Sequence, residues 1–300
     1  MPKNNIIVLL STYNGEKYIK EQLNSLYNQK DVEVSILVRD DGSTDSTSLI
    51  LDQEQQKGRL SWYQGENKGP AGSFMDLLYH APEADYYAFC DQDDIWQPEK
   101  LCRAVEALAP INNDYKVYIS PATLVDVNLN VIGQMPLNYK FTIGEAIVTN
   151  PATGCTMLFN NKLKQLIKKF PPQKIKMHDE WVYKVCLFMN GSIFADTASR
   201  ILYRQHGNNV IGAKEPFIRG MVRRIKNIFT GGGSRSATLC ELYRLYKDIL
   251  PKENLTILEK IYNYKRNLRG QISLLKQKGL SAPLFSTMFN FYTAVILKKF

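Results

Sequence analysis

Apolar and polar positions divide the chain into two regimes. Over the first 130 residues, short apolar runs alternate with stretches of helical period, the pattern of βαβ units around a mostly parallel sheet. Runs at 6–10, 35–39, 60–64, 86–90 and 117–120 read as strands. Between the first two, Ile19, Leu23 and Leu26 share one helix face. Leu101, Val105 and Leu108 do the same after Pro98, a residue suited to a first helical turn. From about 140 to 205 the pattern is mixed, with helices expected near 160–169 and 179–189 around a Pro-Pro turn. Beyond Gly207 the chain is helical, Tyr-rich and basic, and Gly231-Gly232-Gly233 punctuates it. The boundary is expected near 210–235.

Composition narrows the class. A chain of 300 residues with 44% hydrophobic and 22% charged positions can bury a core, which excludes disorder and disulfide-stapled miniatures. Cys90, Cys102, Cys155, Cys186 and Cys240 are odd in number and form no CxxC pair, so they read as reduced thiols of a cytoplasmic protein without a zinc knot. The opening apolar run is too short for a signal-peptide core, and no stretch reaches the roughly 18 apolar residues of a membrane span.

Charge is carried unevenly. Residues 1–210 hold 21 Lys and Arg against 24 Asp and Glu, a net of −3, while residues 211–300 hold 17 against 5, a net of +12. A basic module of this kind meets anionic surfaces, either nucleic acid or a membrane face. Nucleic acid is disfavoured, because no helix-turn-helix, zinc or RNA-recognition motif is present and the basic residues are dispersed over helices. In the last segment Leu284, Phe285, Met288, Phe289, Tyr292, Val295 and Ile296 recur at helical spacing before Lys298-Lys299. Such a stripe lies in a membrane interface, packs on the catalytic part, or forms a homodimer seam.

Ligands of open α/β sheets sit at the carboxyl ends of strands, so the polar residues there are the candidates for chemistry. Asp91-Gln92-Asp93-Asp94 follows the fourth strand and places three carboxylates in four residues. They repel one another unless a cation sits among them, and a hard divalent ion takes such oxygen ligands. Asp40-Asp41-Gly42-Ser43-Thr44-Asp45 follows the second strand. Asp45 or Ser43 suits a helix cap, while Asp40 and Asp41 stand where a base or ribose could be bound.

Ser11-Thr12-Tyr13-Asn14, the Asp40–Asp45 turn and Asp91-Gln92-Asp93-Asp94, in this order and spacing, resemble the nucleotide-sugar half of family 2 glycosyltransferases. Thr153-Gly154-Cys155, His178-Asp179-Glu180-Trp181 and Tyr203-Arg204-Gln205-His206-Gly207 extend the likeness toward the bacterial rhamnosyltransferase-like subgroup of cell-surface polysaccharide synthesis. The resemblance implies an α/β, GT-A type fold over 1–210, with a nucleotide-sugar half at about 1–125, an acceptor half at about 126–210, and a helical C-terminal extension over 211–300. It implies that Thr12, Tyr13, Asn14 and Glu16 line the nucleotide pocket and that Asp40 or Asp41 contacts the base. Lys68 would line the sugar-nucleotide pocket and Arg204 would meet phosphate. Asp91 and Asp93 match the DxD motif, whose last aspartate holds Mg²⁺ or Mn²⁺ on the diphosphate, with His206 as helper.

An acceptor hydroxyl must also lose a proton, and Asp179 matches the position of the family's base. Its neighbour Glu180 remains an alternative, and the family's Glu-Asp pair reads His178-Asp179 here. His178 is read either as a surface histidine or as a participant. Gly154 and Cys155 are expected in the pocket wall, Trp181 at the acceptor, and Trp96 in the core. The implied reaction is inverting transfer from dTDP-rhamnose, with UDP-hexoses as the alternative donors, to a lipid-diphosphate-linked saccharide. It would run at the inner face of the bacterial cell membrane. A nucleotide-sugar-binding protein without catalysis is a third class.

Overall fold

The computed structural model describes residues 3–135, 137–206 and 235–300, so Gly207 and the expected boundary at 210–235 lie outside the described residues. The strands are β1 (Asn5–Thr12), β2 (Glu33–Asp40), β3 (Ser61–Gln64), β4 (Tyr86–Cys90), β5 (Ile95–Trp96), β6 (Lys116–Ile119), β7 (Ala122–Val125), β8 (Val131–Met135), β9 (Leu158–Asn160), β10 (Ser192–Ala195) and β11 (Ile201–Arg204). The helices of the first two thirds are α1 (Ile19–Tyr27), α2 (Thr47–Gln56), α3 (Gly69–His80), α4 (Lys100–Leu108), α5 (Ile143–Val148), α6 (Asn161–Lys169) and α7 (His178–Phe188). After the undescribed segment come α8 (Arg235–Tyr246), α9 (Lys252–Asn263), α10 (Leu268–Leu275) and α11 (Phe285–Ile296). No helix among the described residues is long and apolar enough to cross a membrane.

A seven-stranded sheet in the order β10-β6-β9-β4-β1-β2-β3 forms the frame. Ile6 to Leu10 are all buried, as expected of a central strand covered on both faces. Ile7 and Leu9 face a core shared with α3, α6 and α7, whereas Ile6, Val8 and Leu10 face α1, α2 and α4. The chain leaves β1 for β2 and β3 on one side, then crosses to β4 on the other side. The gap between β1 and β4 is therefore the switch point where open sheets take their ligands. Thr12 and Asp91 stand at its mouth.

Two features were not expected. β9 inserts antiparallel between β4 and β6. A second, four-stranded sheet, β5-β11-β7-β8, sits beside the first. Pairing of Leu202 with Ile95 in that sheet brings the 204–206 segment against the Asp91–Asp94 turn.

The C-terminal helices share the larger core with the α/β part. Leu239, Leu242, Tyr246, Leu258, Ile261, Phe291 and Val295 pack in one cluster with Trp181, Val182 and Val185. Trp181 is wholly buried, with its ring centroid 6.0 Å from that of Tyr246. It offers no face to a sugar, which corrects the expectation of an acceptor platform. Trp96 is buried as expected, with the Lys100 ammonium 3.4 Å above its ring.

The turn after α10 closes onto α5. A methyl group added to Gly144 would come within 1.9 Å of the Gly279 carbonyl oxygen, and Gly279 itself holds φ at +81°. Gly144→Ala should therefore cost about 1–3 kcal/mol, the usual range for overpacking. Thermal unfolding checks this, and an unchanged midpoint would mean that the C-terminal layer does not dock on α5.

Candidate active site

Residues at the ends of β1, β2 and β4, the turn before α3, and the start of α7 enclose a cavity of about 370 Å³. Thr12, Tyr13, Asp41, Asn67, Pro70, Phe74, Asp91, Asp93, Gly154, His178, Asp179 and Tyr203 are among its lining. Asn14, Glu16, Asp40, Lys68, Cys155, Glu180, Trp181, Arg204 and His206 are outside this lining.

The β1 loop is fastened by a residue that reads as a mere spacer in the sequence. Gln92 Oε1 accepts hydrogen bonds from the Thr12 hydroxyl (2.6 Å) and the Tyr13 amide (2.9 Å), and its Nε2 donates to the Tyr13 carbonyl. A Cβ at Gly15 would fall 2.4 Å from Gln92 Oε1 and 2.6 Å from the Thr12 hydroxyl, so a larger residue there would displace this fastening. Asn14 and Glu16 hold the neighbouring loop instead of the cavity. Asn14 Oδ1 accepts from the Thr44 amide (2.9 Å), and Glu16 Oε2 accepts from the Ser46 amide (2.9 Å). Asp45, just before the Ser46 N-cap position, accepts from the Thr47 amide at 3.0 Å at the start of α2.

Asp40 and Asp41 divide their labour. Asp40 is fully buried and accepts from the Ser43 amide, the Ser43 hydroxyl and the Gln64 side chain. Asp41 reaches the cavity wall. Its two oxygens take the Lys68 and Gly69 amides, each at 2.9 Å, and Arg39 pairs with it. Arg39, missed in the sequence because it sits inside a strand, is itself buried and also meets Asp76 at 3.3 Å. Lys68 points away, its ammonium ion-paired with Asp76.

The acidic turn gathers the strongest electrostatics. Burial, with Asp93 and Asp179 nearby, pushes the Asp91 carboxyl up to about 7. Burial beside Asp93 and Asp91 holds Asp94 well above the carboxylate range, and one of its oxygens finds no partner. Asp93 Oδ2 lies 2.6 Å from His206 Nε2, and the His206 ring stacks on Tyr18. Arg204 acts as a staple rather than as a ligand in the cavity. It is buried and donates to the Asp93 carbonyl (2.9 Å), the Val127 carbonyl (2.8 Å) and the Glu21 carboxylate, while its amide donates to Asp94.

Two donor sets could receive a cation. Asp91, Asp94 and Cys155 each place one ligand atom within 4.8 Å of the others. Burial raises the Cys155 thiol far above its usual range, so it stays protonated and is a poor partner for a hard ion. The Asp93–His206 pair, with Asp91 alongside in the cavity wall, fits Mg²⁺ or Mn²⁺ better. Asp94's orphaned oxygen and the crowded carboxyls are the signs that positive charge belongs here.

Asp179, at the start of α7, lines the same cavity. Burial pushes its carboxyl up to about 7, against hydrogen bonds from the Gly154 amide (3.1 Å) and the Glu180 amide. It also lines a second cavity of about 390 Å³, walled by Tyr139, Asn150, Lys176 and Met177. Glu180 is turned away and pairs with Lys184 at 2.6 Å. His178 is neither a surface residue nor ion-paired. It is buried, stacked on Phe74 at 4.0 Å, and pushed down to about 3 by burial, with both ring nitrogens unpartnered. Its Nε2 faces Gly154, where a Cβ would lie 2.5 Å away. Cys155 is buried behind Gly154 in the core.

The elevated Asp179 carboxyl has a sign that can be checked. The folded state keeps this proton between pH about 4 and 7 while the unfolded chain loses it, so Asp179 lowers stability as pH rises through that window. The melting temperature of Asp179→Asn should therefore gain on that of the wild type from pH 4 to 7 and run parallel above it. Parallel curves throughout would mean that Asp179 ionises at an ordinary pH.

Residues 7–169 match the family model described as glycosyl transferase family 2. A dTDP-rhamnosyl transferase, RfbG of Shigella flexneri, is 33% identical over 228 residues, covering 69% of this chain and 75% of that protein. The poly(ribitol-phosphate) beta-N-acetylglucosaminyltransferase TarS of Staphylococcus aureus is 27% identical over 217 residues, which span 69% of this chain but 37% of TarS. Among solved structures, TarS 1-349 in complex with UDP-GlcNAc matches with a TM-score of 0.56 at 19% identity, covering 98% of this chain and 89% of that one. A mannosyltransferase of Pyrobaculum calidifontis in complex with GDP-Man and Mn²⁺ matches with a TM-score of 0.55 at 16% identity, covering 100% and 82%. The strand-end motifs, the sheet and the matched span agree: the chain belongs to glycosyl transferase family 2.

Proposed function

We propose that this glycosyltransferase moves L-rhamnose, with inversion, from dTDP-rhamnose to a hydroxyl of a lipid-diphosphate-linked saccharide in capsule, O-antigen or cell-wall polysaccharide synthesis. The observation that carries the reading is one cavity lined both by Asp91 and Asp93 of the cation-seeking turn and by Asp179, a carboxyl able to take a proton. The Shigella relative favours the rhamnosyl donor. UDP-hexose is the second reading, favoured by the similarity to TarS. A nucleotide donor and five free cysteines fit the cytoplasmic side of a membrane.

In this reading Thr12, Tyr13 and Asp41 hold the nucleoside, and the Asp93–His206 pair with Asp91 holds Mg²⁺ or Mn²⁺. The bound ion would offset the charge that builds on the leaving diphosphate. The acceptor approaches from the second cavity, which shares Thr153, Met177 and Asp179 with the first. Its oxygen attacks the anomeric carbon, the bond from that carbon to the diphosphate breaks, and the hydroxyl proton passes to the Asp179 carboxylate. His178, neutral and unpartnered in the wall, supplies a hydrogen bond to a sugar hydroxyl.

Transfer of labelled sugar to a lipid extract tests the reading. Asp179→Asn should bind donor normally and lose at least about 100-fold in turnover, the usual scale for a general base. Loss in Glu180→Gln with an active Asp179→Asn would reassign the base. Asp93→Ala should abolish transfer with its fold intact, and full turnover in excess EDTA would overturn the metal assignment. His178→Phe should raise the donor KM while leaving the melting temperature near that of the wild type.

A further inference from the structure

The last helix is apolar on both sides but is covered on only one. Phe291, Ala294 and Val295 of α11 are buried, and Phe291 packs edge-on against Phe300 at 4.9 Å. Phe285, Phe289, Tyr292 and Ile296 lie on the opposite side, with exposures of 85%, 60%, 37% and 61%. Their spacing of four, three and four residues keeps them on one stripe along the full helix. Leu284 and Leu297 extend it at either end, at 57% and 43% exposure. Scattered surface apolar residues are ordinary, whereas a continuous aromatic stripe marks a contact surface.

The stretch of chain that carries the stripe holds one sign of charge. From Lys260 to Phe300 the chain holds eight Lys and Arg and no Asp or Glu. Lys265, Arg266, Arg269, Lys276, Lys278 and Lys298 are all exposed. We propose that α11 docks the protein on an anionic bilayer, lying in the interface plane with the Phe285–Phe289–Tyr292–Ile296 stripe among the acyl chains and the basic residues at the headgroups. A second copy is a poorer occupant. A two-fold contact sets the same surface against itself, and here that would bring two basic faces together.

The position of α11 gives the docking a purpose. It packs on α5, and the chain runs on from α5 through Asn150, Pro151 and Ala152, which line the second cavity beside Asp179. α11 is thus separated from the cavity proposed to take the acceptor by α5 alone. The inference names the surface for the reading above, but vesicle binding is measured without turnover, so either can fail alone.

Co-sedimentation with vesicles tests it, using phosphatidylcholine alone and phosphatidylcholine mixed with phosphatidylglycerol. The full chain should sediment with the mixed vesicles at low salt, and high salt should weaken the binding. Neutral vesicles should bind at least roughly tenfold less, given the contribution of several basic residues near an anionic surface. The variant Phe285→Ser/Phe289→Ser/Ile296→Ser should lose binding while its thermal unfolding stays cooperative. Should that variant fail to fold, Arg269→Gln/Lys276→Gln/Lys278→Gln leaves the stripe untouched and should shift the salt dependence to lower salt. Absence of binding to anionic vesicles, or binding indifferent to salt and to both variants, would overturn the proposal. So would a lipid-free dimer in sedimentation velocity that the serine variant dissociates.

Discussion

Four carboxyl groups compete for one patch of low-dielectric space, and the rest of the site is organised around their repulsion. Asp91, Asp93 and Asp94 share a turn, and Asp179 of α7 lines the same cavity as Asp91 and Asp93. Burial and repulsion from neighbouring carboxylates hold Asp91 and Asp94 above the ordinary carboxylate range, and burial with Glu180 beside it does the same for Asp179. The protein supplies partial relief only. The Arg204 amide meets Asp94, the Arg204 guanidinium meets the backbone of Asp93, and His206 meets the Asp93 carboxylate. A folded protein tolerates such a cluster where function requires charge to be placed before a ligand arrives.

The second sheet exists, in this view, to bring that relief. β11 pairs with β5, directly after the acidic turn, and so delivers Arg204 and His206 to it across more than a hundred residues of sequence. The loops at the ends of β1 and β2 are fastened independently by Gln92 and by the carboxylates of Asp40 and Asp41. Several polar residues at the strand ends therefore build the walls of the cavity, while their neighbours face into it. Asp40 and Asp41 illustrate the division: adjacent in sequence, one closes its own turn and the other reaches the cavity.

What could be read from the sequence follows from the range of the forces involved. The parallel strands and the turns after them were legible, because a buried strand must be apolar throughout and a turn must be polar. Asp41, Asp91 and Asp93 were found this way and Asp179 through the family resemblance, and these four line one cavity. The antiparallel insertion of β9 was not legible, since a three-residue strand paired some seventy residues away leaves no local period. The roles of Arg39 and Gln92 were hidden for the same reason, because Asp76 and Thr12, which they meet, lie on other elements. Trp181 was misplaced because an aromatic residue after an acidic pair fits a sugar platform as well as a core, and only the packing of α7 under Tyr246 decides. The last helix was ambiguous for a physical reason: a helix apolar on every side has one face for the core and another left over.

The central claim is that the acidic turn is built for a cation that arrives together with a nucleotide diphosphate. Calorimetric titration of dTDP into the protein, with Mn²⁺ present and with the metal chelated, tests this most directly. The account predicts tight binding with Mn²⁺, a large loss of affinity without it, and the same loss in His206→Ala with the metal present. Equal affinity in all three experiments would contradict it.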